Sequence, residues 1–120
     1  MNKTITIKEG QALDLSANAA TPFRFKMTFG TDLLMILSKG TSEENLGSIG
    51  ATVAQLAYVM NMQAKKRTDE LSEDHFFEWL EQFDDPMTFT LKAKDIISFY
   101  YQNVKTSSKS KNSKGPATAK

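Results

Sequence analysis

The residues with the most chemical promise gather at the start of one predicted helix: Ser72, Asp74, His75 and Glu78. His75 and Glu78, three positions apart, would share a helix face, which is the beginning of a metal site. A zinc site needs at least three protein ligands, and the chain has no second histidine and no cysteine to complete one. Asp74, His75 and Glu78 therefore read as solvated residues of a first helical turn. Ser72 beside His75 has the composition of a nucleophile and a base. No strand–turn–helix elbow precedes Ser72, however, and a serine ahead of Glu73-Asp74 is better explained as an N-cap. The acid pairs at 43–44, 69–70, 73–74 and 84–85 fall in polar links or helix starts. Exposed acids of that kind lack the contrasting environments that separate a general acid from a general base. Gly47-Ser48-Ile49-Gly50 faintly resembles a phosphate-binding turn, but it has no Walker lysine, no full dinucleotide pattern and no βαβ unit around it. No catalytic, cofactor-binding or metal-ligating residue is assigned, and the chain reads as a non-enzyme that needs no cofactor.

Charge narrows the partners. Five lysines (105, 109, 111, 114 and 120) and no acid lie from Lys105 onward. The other ten cations face all fourteen acids within residues 1–104, so that part carries a net charge of −4. An acidic body repels a phosphate backbone. The tail could meet phosphates with a salt slope of about −4.5 if every lysine engaged, enough for weak nonspecific binding. It has no aromatic residue to stack on bases. The longest apolar run, Leu33 to Leu37, is far below the ~20 residues that span a bilayer. The start of the chain alternates polar and apolar residues, unlike a signal peptide. No membrane, no specific nucleic acid and a cytoplasmic location are the expectations.

The elements follow from spacing. Ile5 and Ile7 alternate with polar residues, Glu9-Gly10 breaks the run, and Leu13 and Leu15 alternate again. After a loop at 16–22, Phe23, Phe25, Met27 and Phe29 repeat at period 2, which predicts a third strand. Thr31 as N-cap and Asp32 in the first turn introduce a short helix over 33–38, with Gly40 beyond it. Ser48 begins a second helix on which Ile49, Val53, Leu56 and Met60 form one stripe. Ser72 caps a third, with Leu71 and Phe76 as a hydrophobic staple and Phe76, Phe77, Leu80 and Phe83 as the buried stripe. Asp85-Pro86 leaves 87–91 ambiguous, and residues 95–104 read as a last helix. The fold class is α+β: a β-meander over about 3–29, then about four helices over 31–104, forming one domain. Residues 105–120 are expected to be a disordered basic tail.

What remains is apolar surface. Tyr58, Val59, Met60 and Met62 point in several directions around the second helix, Trp79 lies off the main stripe of the third, and Phe99-Tyr100-Tyr101 fan around the last. Methionine and aromatic residues are those that adaptable protein-binding surfaces favour. Met60, Met62, Trp79, Phe83, Tyr100 and Tyr101 are accordingly the candidate protein-binding residues.

The layout is familiar. An N-terminal β-meander ending in Pro22-Phe23-Arg24-Phe25-Lys26-Met27-Thr28-Phe29-Gly30 precedes a small helical domain containing Phe76-Phe77-Glu78-Trp79-Leu80 and a final Ile96-Ile97-Ser98-Phe99-Tyr100-Tyr101 helix. A charged low-complexity tail follows. Over roughly residues 3–104 this resembles the tail assembly chaperones of long-tailed bacteriophages and prophages, in their short form. The resemblance implies a non-catalytic protein of the host cytoplasm that binds the tape measure protein, keeps it soluble and helps recruit the major tail (tube) protein. It also implies self-association into a homo-oligomer and absence from the mature virion. Two other roles stay open: a different small phage structural factor, such as a head–tail connector or tail completion protein, and a weak nucleic-acid binder acting through the tail.

Overall fold

The computed structural model describes residues 2–8, 11–38 and 46–103. The Glu9-Gly10 break, Gly40, residues 41–45 of the polar link and the tail from 105 lie outside them. Two strands, β1 (Asn2–Lys8) and β2 (Gln11–Ser16), pair antiparallel with Ile5 opposite Leu13 and Lys3 opposite Leu15. Ile5, Leu13 and Leu15 all point into the core, as a one-sided hairpin requires.

The predicted third strand is instead a helix, α1 (Thr21–Phe29). Asn18 and Thr21 build its start: Thr21 N–H donates to the Asn18 carbonyl, and Asn18 N–H returns a bond to Thr21 Oγ1. Pro22 sits in the first turn, where its missing N–H costs nothing. Gly30 closes the helix in the left-handed region at φ 75°, its N–H on the Lys26 carbonyl. Among the described residues the sheet is therefore a two-stranded hairpin and not a meander, and the fold is helix-rich α+β.

Among the described residues five further helices follow: α2 (Leu33–Ser38), α3 (Leu46–Lys65), α4 (Glu73–Leu80), α5 (Thr88–Leu91) and α6 (Ala93–Asn103), with a 3-10 turn over Thr68–Glu70. Asp32, and not Thr31, supplies the cap of α2, since Met35 N–H donates to Asp32 Oδ1. Ser72 caps α4 as predicted, accepting from His75 N–H at 3.0 Å.

α3 organises everything else. The hairpin, α1, α4, α5 and α6 all pack on it. Ile49, Val53, Leu56 and Met60 are buried, but so are Tyr58, Val59, Asn61 and Met62 on its other sides. A helix apolar around most of its circumference belongs at the centre of a domain. One connected core runs from Ile5 of β1 to Tyr100 of α6. At Gly50 the α3 backbone comes so close to Thr90 of α5 that a methyl group would collide with Thr90 Oγ1. Among the described residues no helix is long and apolar enough to cross a membrane.

Candidate protein-binding surface

The six candidate residues divide. Met60, Met62 and Tyr100 are completely or almost completely buried, and Trp79 is only 6% exposed. Phe83 and Tyr101 are half-buried. The first four are thus core residues of the protomer and not contact residues, because elements arranged on all sides of α3 cover directions that a single wall would have left open.

Polar chemistry fixes that core. Trp79 Nε1–H donates to Asn61 Oδ1 at 2.9 Å, and Asn61 Nδ2–H donates to the Asp14 carbonyl at 2.8 Å, so α4, α3 and β2 meet at one amide. Gln63 does the same two residues on. Its Nε2 donates to the Ser16 carbonyl and to Thr21 Oγ1, and its Oε1 accepts from Arg24 Nη1 at 2.9 Å. These bonds explain why α4 turns Phe76 and Trp79 inward and leaves Phe77, expected in the buried stripe, 60% exposed.

His75 is used structurally. Its Nδ1 lies 2.8 Å from Tyr58 OH, which also accepts from Ser72 N–H at 3.2 Å. Its Nε2 faces Glu70 Oε1 at 3.7 Å, and Glu70 is paired with Arg67. That pairing holds the Glu70 carboxyl below its usual range, while burial raises the Tyr58 hydroxyl above its own. Among the described residues no three His, Cys, Asp or Glu side chains are grouped to hold a metal ion.

The Tyr100 hydroxyl is displaced as well. Its hydroxyl finds no hydrogen-bond partner among the described residues. Burial first, with the neighbouring charges of Tyr101 and Asp32 adding, pushes it up to about 12. We expect Tyr100→Phe to leave stability unchanged or raise it by about 1 kcal/mol, since it removes an unpaired buried hydroxyl. Chemical denaturation checks this, and a loss above about 1 kcal/mol would mean that the hydroxyl is bonded in solution. The pH dependence has a definite sign. Both states hold the proton below pH 10, the unfolded state releases it first, and stability falls as pH rises from 10 towards about 12. Tyr100→Phe should flatten that alkaline limb.

The exposed apolar surface lies elsewhere. Phe23 is 70% and Met27 88% exposed on the outer face of α1, and Leu91 is 72% exposed at the end of α5. Met35, Phe77 and Met87 are also about half exposed or more. One of the sequence candidates does border an open feature. A cleft of about 500 Å³ lies between the first half of α3 and the α4–α5 link. Gly50, Ala51 and Ala54 form its floor, and Leu80, Phe83, Met87 and Phe89 its walls. Asp84 and Asp85 also line it. Phe83 is held there by edge-on contacts with Trp79 and Phe89, at centroid distances of 5.2 and 5.0 Å.

Sequence reasoning missed Phe23 and Met27 because period 2 was taken for a strand. On a helix, positions 23 and 27 share one face and 25 and 29 nearly the opposite one. The inner pair packs on the core, Phe25 completely buried and Phe29 partly, and the outer pair is left outside. Pro22 and Gly30, with seven residues between them, were the available signal. No protein-family model matches this chain, and neither a curated protein nor a solved structure matches it.

Proposed function

We propose that this chain is a non-catalytic binding protein of the tail assembly chaperone kind. In this reading it holds a tape measure protein soluble in the host cytoplasm, helps recruit the tail tube protein, associates with itself, and is left out of the finished virion. One observation carries the reading. The core is already filled, yet six large apolar side chains of the described residues stand exposed, and one of them, Met87, lines a largely apolar cleft that Asp84 and Asp85 also line. Apolar clefts and ridges are what a helical client needs in order to bury its own apolar face. The acid-rich body supplies the charge that keeps such a surface in solution. The resemblance rests on the helical part of the chain, since the meander is a hairpin followed by a helix.

Coexpression with the tape measure protein of the same phage or prophage tests it. The soluble fraction of the tape measure protein should rise several-fold and the two chains should copurify. Met27→Glu should weaken both effects while leaving the chain folded. No gain in solubility with the folded wild-type chain, or recovery of the chain in purified virions, overturns the proposal.

A further inference from the structure

We propose that a second cleft, between α1 and the start of α4, selects a client helix that carries a carboxylate and an ammonium on either side of an apolar stripe. The cleft has a volume of about 480 Å³ and is lined by Arg24, Met27 and Thr28 of α1, Thr68 of the 3-10 turn, and Leu71, Ser72 and Glu73. Arg24, Met27 and Thr28 lie at i, i+3 and i+4 and so share one face of α1. One cation and one acid thus line the same cleft, yet among the described residues neither Arg24 nor Glu73 belongs to an ion pair. Met27, 88% exposed, and the half-buried Leu71 add apolar contact in the same place.

Both charges stand on pinned elements. Arg24 Nη1 donates to Gln63 Oε1 at 2.9 Å, and Gln63 is bonded in turn to Ser16 and Thr21. That bond uses one of the five N–H donors of a rigid fork shaped to meet a carboxylate. Glu73 follows Ser72, which is fixed by its N–H on Tyr58 OH and by its Oγ on His75 N–H. Opposite charges held on two separate elements and left unpaired are preorganised for a ligand that brings both counter-charges. The lysine-rich tail is not that ligand, since residues 105–120 hold no acid for Arg24 and no large apolar side chain for Met27 and Leu71. A phosphate backbone would be repelled by Glu73. A helix with Glu, Leu, Leu and Lys at i, i+3, i+4 and i+7 presents all three chemistries on one stripe, its charges about 10 Å apart along the axis. The inference rests on the reading of this chain as a binder of apolar helices and adds which helix it selects.

Fluorescence anisotropy of the full chain with labelled alanine-based peptides tests it. The matched peptide, about 18 residues long so that it is helical, carries that Glu-Leu-Leu-Lys stripe. A scrambled peptide of the same composition places its Glu and Lys on the face opposite the leucines. The matched peptide should bind about tenfold more tightly, because two exposed charge pairs add to the apolar contact. Glu73→Gln should weaken the matched peptide about threefold and leave unchanged a peptide whose Lys is replaced by Gln. Arg24→Gln should behave in the same way towards the Glu end of the peptide. Each pairing is a double-mutant cycle, and a misfolded variant would lose every peptide alike. Should Arg24→Gln fail to fold, Glu73→Gln, a change at an exposed position, carries the test alone. Equal affinity for the two peptides, or a Glu73→Gln loss that persists when the peptide has no lysine, overturns the proposal. Sedimentation in which the matched peptide splits an oligomer of this chain gives the cleft to another copy and overturns it as well. A cleft that shows the coupling in a chain unable to solubilise a tape measure protein leaves this inference standing and removes the chaperone role. Solubilisation without the coupling does the reverse.

Discussion

Asn61→Leu is expected to cost about 3 kcal/mol of folding stability, read from urea or thermal unfolding, although leucine matches asparagine closely in size. Asn61 is 1% exposed and serves two buried partners on different elements. Its Oδ1 accepts from Trp79 Nε1–H of α4, and its Nδ2 donates to the Asp14 carbonyl of β2. Leucine leaves a donor and an acceptor without partners, and each unsatisfied buried group costs roughly 1–3 kcal/mol. A domain of this size has only about 5–15 kcal/mol in total, so the loss is a large share of its stability. The asymmetry of hydrogen-bond energetics provides a control. Adding Trp79→Phe removes the stranded indole N–H, so the double variant should lose less than the two single losses combined. Strict additivity would mean that the Trp79–Asn61 bond contributes nothing.

How much of this was legible in the residues depended on whether a pattern admits one physical reading. Ile5, Leu13 and Leu15 alternate around a Gly break, and the hairpin is where the pattern puts it. Ser72 ahead of two acids can do little but cap, and it does. Phe23, Phe25, Met27 and Phe29 admit two readings, because an apolar residue at every second position is also a helix with two apolar faces. Pro22, Gly30 and the Asn18 turn decide between them, and those are local hydrogen-bond events that a hydrophobic pattern does not record. The same ambiguity ran the other way on α3. Apolar residues on all sides mark either surplus surface or a central position, and only the placement of five surrounding elements distinguishes the two. Of the expected contact residues, Phe83 remained at an open feature because α4 stops at Leu80 and places it in the link beside the cleft.

That distinction between core and surface methionines has its own measurable consequence. Met60→Lys is expected to abolish the folded state outright, while Met27→Lys should change stability by no more than about 0.5 kcal/mol. Met60 is fully buried in the C-terminal third of α3, so a lysine there must either hold a charge without a partner or stay neutral at a large proton-binding cost. Either penalty is several kcal/mol before the lost packing of the thioether is counted, and large-to-small core changes alone reach about 2–5 kcal/mol. Met27 is 88% exposed, and a lysine there keeps its charge in water and its stem on the helix surface. Far-ultraviolet circular dichroism separates the two outcomes directly. A folded Met60→Lys protein would place that side chain at a surface, and the binding role would then return to the end of α3. If it unfolds while Met27→Lys stays folded but loses binding to the tape measure protein, the apolar contacts of this chain belong to the exposed face of α1.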